Sequence, residues 1–287
     1  MKVTKAIILA GGRGTRFLPF AKIYAKEMLP VGDMPALQFL IREVVSAGIT
    51  DILAVVNPEK KHIARYFQPD KKLNAFLHER CKKEELYKVS KVCEGADLRF
   101  LVQKNQTGSG GAVALCKKFI GGQPFAFLNG DDLIFAKESV TLQLVREFNL
   151  TARSIIGVQK IPPSDLSKCG VADVCDVNGR RSLLNGVMEK PSFTEAPSDL
   201  ALLGRSVFAP SFLPYLSELS PSVSGELLIT DAINLQAKSE IVFAYEFEGK
   251  RFDLGNKLGF AKAAAWNMAV HEKNEEYLDF LKNLPKD

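Results

Sequence analysis

Glycines and cationic side chains are concentrated in a short segment near the N-terminus. The members of this glycine loop and its extension are Gly11, Gly12, Arg13, Gly14, Thr15, Arg16, Lys22 and Lys26. Backbone N–H groups of glycine can approach phosphate oxygens closely, and arginine or lysine beside them neutralises the negative charge. The segment could therefore hold a triphosphate. It lacks the Gly-Lys-Ser/Thr ending of a P-loop and the spacing G-x-G-x-x-G, so a solvated basic loop stays open as the alternative.

Apolar runs and helical spacings place this loop in a repeating pattern of strands and helices. Strands are predicted at residues 3–10, 51–56, 98–103 and 124–128, and helices at residues 35–48, 60–67 and 109–118. Such alternation favours a parallel sheet with helices on both faces, whose ligands bind beyond the carboxyl ends of the strands. The glycine loop follows the first strand, and residues 129–132, with two adjacent aspartates, follow the fourth. Both loops are therefore expected at the same edge of the sheet.

The second half of the chain has a different pattern. Further strands are predicted at residues 154–159, 171–175, 182–188 and 201–208. Turns with few long helices separate them, which suggests hairpins laid over the first half. Residues 256–271 and 275–284 have the spacing of closing helices, with Trp266 as a packing residue, and the charged residues 82–92 indicate an exposed insertion. We predict an α/β fold: a Rossmann-like mixed, mainly parallel sheet flanked by helices, with a β-hairpin elaboration and C-terminal helices.

Composition limits the class of protein. The 287 residues are 46% hydrophobic and 25% charged, which is typical of a soluble globular chain with one large core. The formal charge of +5 is modest and interspersed, so nucleic acid is not an expected partner. Five cysteines without a C-x-x-C pair, and only three histidines, predict a reduced cytoplasmic protein without structural zinc. Since no apolar stretch approaches the roughly 20 residues that span a bilayer, no membrane partner is expected.

Six sequence blocks give the chain a resemblance to the nucleotidyltransferases that act on sugar 1-phosphates. In family order they cover residues 9–19 with 26–31, 108–113, 129–132, 186–191, 225–233 and 252–259. The form Lys-Glu-Met-Leu-Pro at residues 26–30 resembles the bacterial UTP:glucose-1-phosphate uridylyltransferases in particular, because thymidylyl relatives usually carry Gln at the Glu27 position. The resemblance implies a single domain over residues 1–287. Its parts are a nucleotide-binding half at about 1–150, a sugar-binding half at about 151–255 and C-terminal helices at about 256–287.

The resemblance implies a reaction in which a phosphate oxygen of glucose 1-phosphate attacks the α-phosphorus of UTP, giving UDP-glucose and pyrophosphate. The attacking oxygen is already anionic, so positioning and charge neutralisation suffice without a protein nucleophile. Arg16 would hold the β- and γ-phosphates, Lys26 the α-phosphate and Lys190 the sugar phosphate. Asp131 and Asp253 are the expected ligands of a Mg²⁺ cofactor, because this ion prefers a few carboxylate oxygens together with phosphate oxygens.

Further residues are assigned to binding by the resemblance. The nucleotide-binding set is Gly11, Gly12, Gly14, Thr15, Glu27, Gln103 and Gly108. Within it, Gln103 would pair with the uracil edge through its side-chain amide, and glycines would bring backbone groups to the base and ribose. Glu189 would accept hydrogen bonds from glucose hydroxyls, and Gly170 would let the sugar lie against backbone. Asp132 is interpreted as a turn or helix-capping residue. As in the family, a homo-oligomer, either dimer or tetramer, is expected.

Three alternative functions stay open. The loop form Gly-Gly-Arg-Gly-Thr-Arg is commoner in thymidylyl and adenylyl relatives, and thymine differs from uracil by one methyl, so dTTP is the first alternative substrate. The second is a catalytically silent module that binds sugar nucleotides, against which the retained phosphate and metal residues argue. The third, a dinucleotide-dependent dehydrogenase, lacks the G-x-G-x-x-G spacing. Cys169 stands where the family usually has Tyr, which bears on the choice of sugar.

Overall fold

A nine-stranded sheet forms the centre of the computed structural model, which describes residues 1–222 and 225–285. Its strands and the shorter strands beside it are β1 (Lys5–Leu9), β2 (Pro30–Val31), β3 (Met34–Pro35), β4 (Asp51–Val56), β5 (Asp97–Val102), β6 (Phe125–Asn129), β7 (Asp132–Phe135), β8 (Ile155–Lys160), β9 (Gly170–Asn178), β10 (Arg181–Glu189), β11 (Leu200–Phe208), β12 (Phe243–Glu246) and β13 (Lys250–Asp253). Residues 223–224 and 286–287, which the predicted single domain includes, lie outside the described residues.

Helices cover both faces of the sheet and form much of the surface. They are α1 (Ala36–Ser46), α2 (Ile63–Tyr66), α3 (Lys71–Glu79), α4 (Lys83–Ser90), α5 (Gly108–Leu115), α6 (Lys117–Ile120), α7 (Val140–Thr151), α8 (Phe212–Ser217), α9 (Ile229–Ser239), α10 (Lys257–Trp266) and α11 (Glu275–Lys282). The predicted insertion at residues 82–92 contains α4, most of whose side chains are exposed. A short π-helical turn, Asn267–His271, links the two C-terminal helices.

The first four long strands are parallel to one another, in the order β5-β4-β1-β6, and β8 and β12 form a further parallel pair. Leu9, the last residue of β1, lies opposite Val55 on one side and Asn129 on the other. The glycine loop and the 129–132 loop therefore leave the sheet at the same edge, as predicted. Side chains of β1 alternate between the two faces, since Ala6 and Ile8 pack in one apolar core and Ile7 packs in the other.

The second half of the chain continues the same sheet. Strand β11 is antiparallel to β6, and the order then runs β8-β12-β10-β9. The expectation of hairpins laid over the first half is therefore wrong, because β9 and β10 form a hairpin within the sheet itself. The physical reason lies in β6, whose side chains are buried from Phe125 to Leu128. A strand buried on both faces needs hydrogen-bond partners along both edges, and β11 supplies the second edge.

Few long helices separate the strands of the second half, as predicted: α7 precedes these strands, and the short α8 and the longer α9 lie after β11. Helix α7 begins after Ser139, whose hydroxyl accepts a hydrogen bond from the Leu142 N–H at 3.4 Å. Helix α9 buries Ile229, Ala232 and Ile233 along one side. Both helices cover the extended sheet: α1 and α7 lie over one face, and α5, α8 and α9 lie over the other.

A small ribbon of two strands stands beside the main sheet. Strands β7 and β13 pair in antiparallel fashion, with Asp132 opposite Asp253. Beneath the ribbon lies a third apolar cluster that includes Leu133 and Phe252. Trp266 packs against this cluster, with its ring centroid 5.8 Å from that of Phe252, and so is a packing residue as predicted. No helix in the described part of the chain is long and apolar enough to cross a membrane.

Candidate active site

A cavity of about 300 Å³ opens at the carboxyl edge of the parallel strands, and we call it the glycine-loop cavity. Its walls come from the ends of β1, β4, β5 and β6 and from the start of α5. The lining residues are Leu9, Gly11, Gly12, Lys26, Glu27, Val55, Gln103, Gln106, Gly108, Ser109, Ala112, Asn129, Asp131, Glu226 and Leu228. Seven residues predicted from the sequence as nucleotide, catalytic or metal residues are among them.

The glycine loop is held in place by side chains from the neighbouring strand ends. Asn57 Nδ2 donates to the Gly11 carbonyl oxygen at 2.9 Å, and Gln106 Nε2 donates to the same oxygen at 3.3 Å. Gly14 has a φ of +67°, in the left-handed region that favours glycine. A short 3-10 turn follows, in which Thr15 and Arg16 are exposed and Phe17 is buried. The loop thus has a fixed backbone beside the cavity.

Lys26 and Asp131 form an ion pair in the wall of the cavity. The Lys26 side chain is 8% exposed and that of Asp131 is 35% exposed. Burial opposes the charge on Lys26, but Asp131 and Glu27 outweigh it and raise the pKa of the ammonium group. For Asp131, burial also opposes the charge, and Lys26 overcomes it and lowers the pKa of the carboxyl group. Both groups are therefore charged near neutral pH, in position to meet a phosphate and a cation.

Glu27 lies deeper than Lys26 and pairs with a lysine that the sequence did not suggest. Its carboxylate is 1% exposed and accepts a hydrogen bond from Lys60 Nζ at 2.5 Å. Lys60 Nζ also lies 3.3 Å from the carbonyl oxygen of Ala10, at the start of the glycine loop. Burial raises the pKa of Glu27 and lowers that of Lys60, although each partly stabilises the charge of the other. Lys60 thus supports both the loop and Glu27 from below.

Gln103 lies at the far side of the cavity and is 5% exposed. Its Nε2 donates to Thr107 Oγ1 at 3.3 Å and to the Gly108 carbonyl oxygen at 3.4 Å. Gly108 has a φ of +87°, and a Cβ there would lie 2.6 Å from the Leu227 carbonyl oxygen. The block at residues 108–113 therefore packs directly on the block at residues 225–233. Gly108 is required at the contact with Leu227 because a side chain there would collide with the Leu227 backbone.

Three of the predicted phosphate and metal residues converge at Gly255. The position that a Cβ would take on Gly255 lies 2.8 Å from Asp253 Oδ1, 3.2 Å from Asp131 Oδ2 and 3.6 Å from an Arg16 guanidinium nitrogen. Two carboxylates facing a site for phosphate oxygens are a donor set that suits Mg²⁺, so these residues fit such a cation. Among residues 1–222 and 225–285, no cluster of three or more His, Cys, Asp or Glu side chains is placed to hold a metal ion.

A second cavity, of about 230 Å³, adjoins the first, and we call it the Glu189 cavity. It shares Ser109, Asn129 and Leu228 with the glycine-loop cavity. Glu189 and Gly170 are register partners across β10 and β9, and a Cβ on Gly170 would lie 3.3 Å from Glu189 Oε2. Glycine at position 170 leaves the backbone beside the Glu189 carboxylate uncovered, so a ligand in this cavity could lie against it.

Lys190 follows Glu189 and lies at the surface. Its side chain is 61% exposed, and its Nζ lies 3.6 Å from Glu189 Oε1. The backbone N–H of Lys190 donates to the Cys169 carbonyl oxygen at 3.0 Å, and its φ is +48°. The backbone of Lys190 is therefore held in place, and its exposed ammonium group lies beside the Glu189 carboxylate.

Asp132 is neither a turn residue nor a helix cap, and that interpretation is wrong. It begins β7, is 5% exposed, and accepts a hydrogen bond from Arg251 Nε at 2.6 Å. Arg251 and Asp132 both line the Glu189 cavity. Sequence reasoning missed the arginine because its partner lies 119 positions away. The position of Asp132 directly after a buried strand, beside Asp131, was the only local signal.

These features define a class of protein before any relative is considered. A glycine loop, a buried lysine-aspartate pair and an adjoining carboxylate-lined cavity at one sheet edge suit a nucleoside triphosphate beside a second phosphorylated ligand. The chain belongs to the nucleotidyl transferase family, since the family model described as "Nucleotidyl transferase" matches residues 5–268.

Characterised relatives and solved structures agree with this assignment. The UTP–glucose-1-phosphate uridylyltransferase of Bacillus subtilis (strain 168) is 43% identical over 284 residues, covering 99% of this chain and 97% of that protein. The UTP-bound UGPase of Acinetobacter baumannii has a TM-score of 0.90 at 29% identity, covering 99% of this chain and 100% of that one. A UDP-glucose pyrophosphorylase complexed with UDP-glucose has a TM-score of 0.85 at 31% identity, covering 95% of this chain and 100% of that one. The predicted mixed α/β fold is thereby confirmed.

Proposed function

We propose that this chain transfers the uridylyl group of UTP to glucose 1-phosphate, giving UDP-glucose and pyrophosphate. The observation that carries the proposal is the junction of the two cavities at the 129–132 loop. Asp131 lines the glycine-loop cavity and Asp132 lines the Glu189 cavity. A nucleotide in the first cavity and a sugar phosphate in the second would therefore meet beside Lys26 and Asp131. The activities named for the full-length relatives support the same substrates.

In this reaction a phosphate oxygen of glucose 1-phosphate forms a bond to the α-phosphorus of UTP. The bond from that phosphorus to the bridging oxygen of pyrophosphate breaks on the opposite side, and the electron pair leaves with pyrophosphate. The attacking oxygen carries a negative charge already, so the protein has no proton to remove. Its contribution is to align two anions and to neutralise the charge that develops.

The buried Lys26 ammonium would neutralise the α-phosphate, because it is charged and held at the cavity wall. Arg16, exposed beside Asp131 and Asp253, would bind the outer phosphates and the departing pyrophosphate. The glycine loop, with Gly11, Gly12, Gly14 and Thr15, would cradle the phosphates and the ribose, and Glu27 and Gly108 would complete the nucleotide wall. Gln103 would read the uracil edge through its side-chain amide.

The sugar phosphate would lie in the Glu189 cavity, against the paired ends of β9 and β10. Glu189 would accept hydrogen bonds from glucose hydroxyls, Gly170 would leave room for the ring, and the exposed ammonium of Lys190 would bind the phosphate. Asp131 and Asp253 would hold Mg²⁺. The cation would draw the phosphates of the two substrates together and withdraw charge from the α-phosphorus. The homo-oligomer and the cytoplasmic location stay predictions of the sequence.

The test is pyrophosphate release with glucose 1-phosphate, Mg²⁺ and each of UTP, dTTP, CTP, ATP and GTP in turn. Asp131→Asn should abolish release, whereas the control Asp97→Asn, at an aspartate whose side chain is 71% exposed, should not change it. A clear preference for dTTP would keep the chemistry and replace the uridylyl assignment. No release with any nucleotide would contradict the proposal and favour a silent sugar-nucleotide-binding module.

A further inference from the structure

A buried ion pair lies behind the 129–132 loop, outside the residues assigned so far. The side chain of Arg205, on β11, is 1% exposed, and that of Glu43, on α1, is 9% exposed. The guanidinium binds the carboxylate twice, from Nε to Oε1 at 2.9 Å and from Nη2 to Oε2 at 2.8 Å. Thr141 donates to Glu43 Oε1 as well, through its N–H at 3.2 Å and its hydroxyl at 2.7 Å. Both carboxylate oxygens are therefore satisfied.

Stability alone is a weak explanation for such a pair. Removing two charges from water is costly, and a well-packed apolar pair in the same place is often as stable or more stable. Arg205 makes a further hydrogen bond that an apolar side chain could not make. Its Nη2 donates to the carbonyl oxygen of Asp132 at 2.8 Å. Glu43 thus fixes an arginine whose free donor holds the backbone directly after Asp131.

The same short segment is held from the ribbon side. Arg251 Nε donates to Asp132 Oδ1 at 2.6 Å, and the Leu254 N–H donates to the Asp131 carbonyl oxygen at 2.7 Å. Asp132 and Asp253 are register partners in the ribbon, and Asp131 directly precedes Asp132. The two candidate metal aspartates, Asp131 and Asp253, therefore lie at the same end of the ribbon. Arg205 ties this ribbon end to β11 of the main sheet and, through Glu43, to α1.

We propose that Glu43 and Arg205 are positioning residues for the cation site. They fix the backbone at Asp132, and through it the carboxylate of Asp131, where a divalent cation meets the phosphates. This inference rests on the proposed function and extends it to Glu43, which lines neither cavity, and to Arg205, which borders the Glu189 cavity but whose guanidinium is bound to Glu43 and to the Asp132 backbone. Loosening the segment would let the Asp131 carboxylate occupy several positions, which weakens cation binding while leaving the cavity in place.

The experiment uses the full-length chain and two variants. The double variant Glu43→Met with Arg205→Met replaces the ion pair by apolar side chains of similar length, so that no buried charge is left unpaired. Arg205→Lys keeps the charge but loses the fork that reaches Glu43 and Asp132 together. The matched control is Glu138→Met with Arg146→Met, an ion pair at 2.6 Å whose arginine side chain is 62% exposed.

Three quantities are measured: Mn²⁺ binding without nucleotide by electron paramagnetic resonance, the Mg²⁺ dependence of pyrophosphate release, and the melting temperature. We expect the Kd for Mn²⁺ to rise roughly 10- to 100-fold in both variants, with a parallel rise in the Mg²⁺ requirement. The double variant should melt within a few degrees of the wild type, and the control should match the wild type throughout.

Wild-type Mn²⁺ affinity and Mg²⁺ dependence in either folded variant would overturn the inference. If the double variant does not fold, the pair is structural in the first place, and the Arg205→Lys result then decides between positioning and stability alone. A wild-type chain that binds Mn²⁺ yet releases no pyrophosphate would overturn the proposed function instead. The comparison of Mn²⁺ affinities would still decide the inference in that case.

Discussion

The two cavities differ in how their charges are held. In the glycine-loop cavity, the Lys26 and Glu27 side chains are 8% and 1% exposed, and each has a partner inside the protein. The Glu189 cavity also has buried charges in Asp132 and Arg205, but the Glu189 side chain is 32% exposed, and that of Lys190, next to the cavity, is 61% exposed with Nζ 3.6 Å from Glu189 Oε1. Buried charges are oriented before a ligand arrives, whereas exposed charges are screened by water and can reorient. Under the proposed function, Lys26 thus suits charge stabilisation, whereas Glu189 and Lys190 suit adjustable recognition of the sugar phosphate.

The largest effect should come from removing the buried ammonium group of the first cavity. We expect Lys26→Gln to lower kcat roughly 100- to 1,000-fold, because a preoriented charge in a wall shielded from water is lost. The control is Lys82→Gln, at a lysine whose side chain is 57% exposed. Steady-state pyrophosphate release measures both variants. A loss of less than about 10-fold would mean that Lys26 is not a preorganised electrostatic group.

The next effect concerns stability. Lys60→Met leaves the Glu27 carboxylate buried without its closest partner, and we expect the free energy of unfolding to fall by about 3 to 5 kcal/mol. The double variant Lys60→Met with Glu27→Gln should recover part of this loss, because it removes the uncompensated charge. Urea unfolding of the three proteins gives the comparison. Equal stability of the single and the double variant would show that the two groups are not coupled.

In the second cavity, Glu189→Gln should act on the sugar alone. Loss of a charged acceptor weakens the hydrogen bonds to sugar hydroxyls, so the KM for glucose 1-phosphate should rise roughly 10- to 100-fold. The KM for UTP should stay unchanged, since Glu189 lines only the second of the two cavities. Glu84→Gln, at a glutamate whose side chain is 82% exposed, is the control. A matching rise in the KM for UTP would mean that the cavities are not separate.

The smallest effect is expected at Lys190, and its dependence on salt should distinguish it from the effect at Lys26. Lys190→Gln should raise the KM for glucose 1-phosphate only about 5-fold at low ionic strength, because an exposed charge contributes little. Near 1 M salt, where the Debye length is about 3 Å, this difference should nearly vanish. The loss caused by Lys26→Gln should persist under the same conditions. A salt-independent effect at Lys190 would place its ammonium in a shielded site once the substrate is bound.

The parallel part of the fold could be predicted because its signals are local. Apolar strands that end in glycine or in aspartate mark the carboxyl edge, which brought the glycine loop, Gln103 and Asp131 to one cavity. The sequence pattern could not predict ion pairs between residues that are distant in the chain. Glu43 and Arg205 lie 162 positions apart, so no periodicity or spacing connects them.

The prediction of how the strands of the second half are arranged was wrong for a related reason. A hairpin has the same alternating pattern whether it lies over a sheet or extends it, because alternation reports one buried face and not the neighbouring strand. Which strand fills the free edge of β6 depends on hydrogen bonds between Phe125–Asn129 and Leu200–Phe208. The resemblance to a family supplied residue roles, but it did not supply these contacts.

The pairing of β6 with β11 has a consequence for how the chain emerges from the ribosome. A nascent chain that has reached residue 153 carries β1, β4, β5 and β6, yet the strand that covers the outer edge of β6 is still to be synthesised. That edge would present unpaired backbone N–H and C=O groups on a strand with apolar side chains such as Phe125 and Phe127, which are the features of edges along which chains aggregate. The nucleotide half is therefore not a fragment to express alone. Its completion waits for residues 200–208, and a truncation between the two halves is expected to yield aggregates.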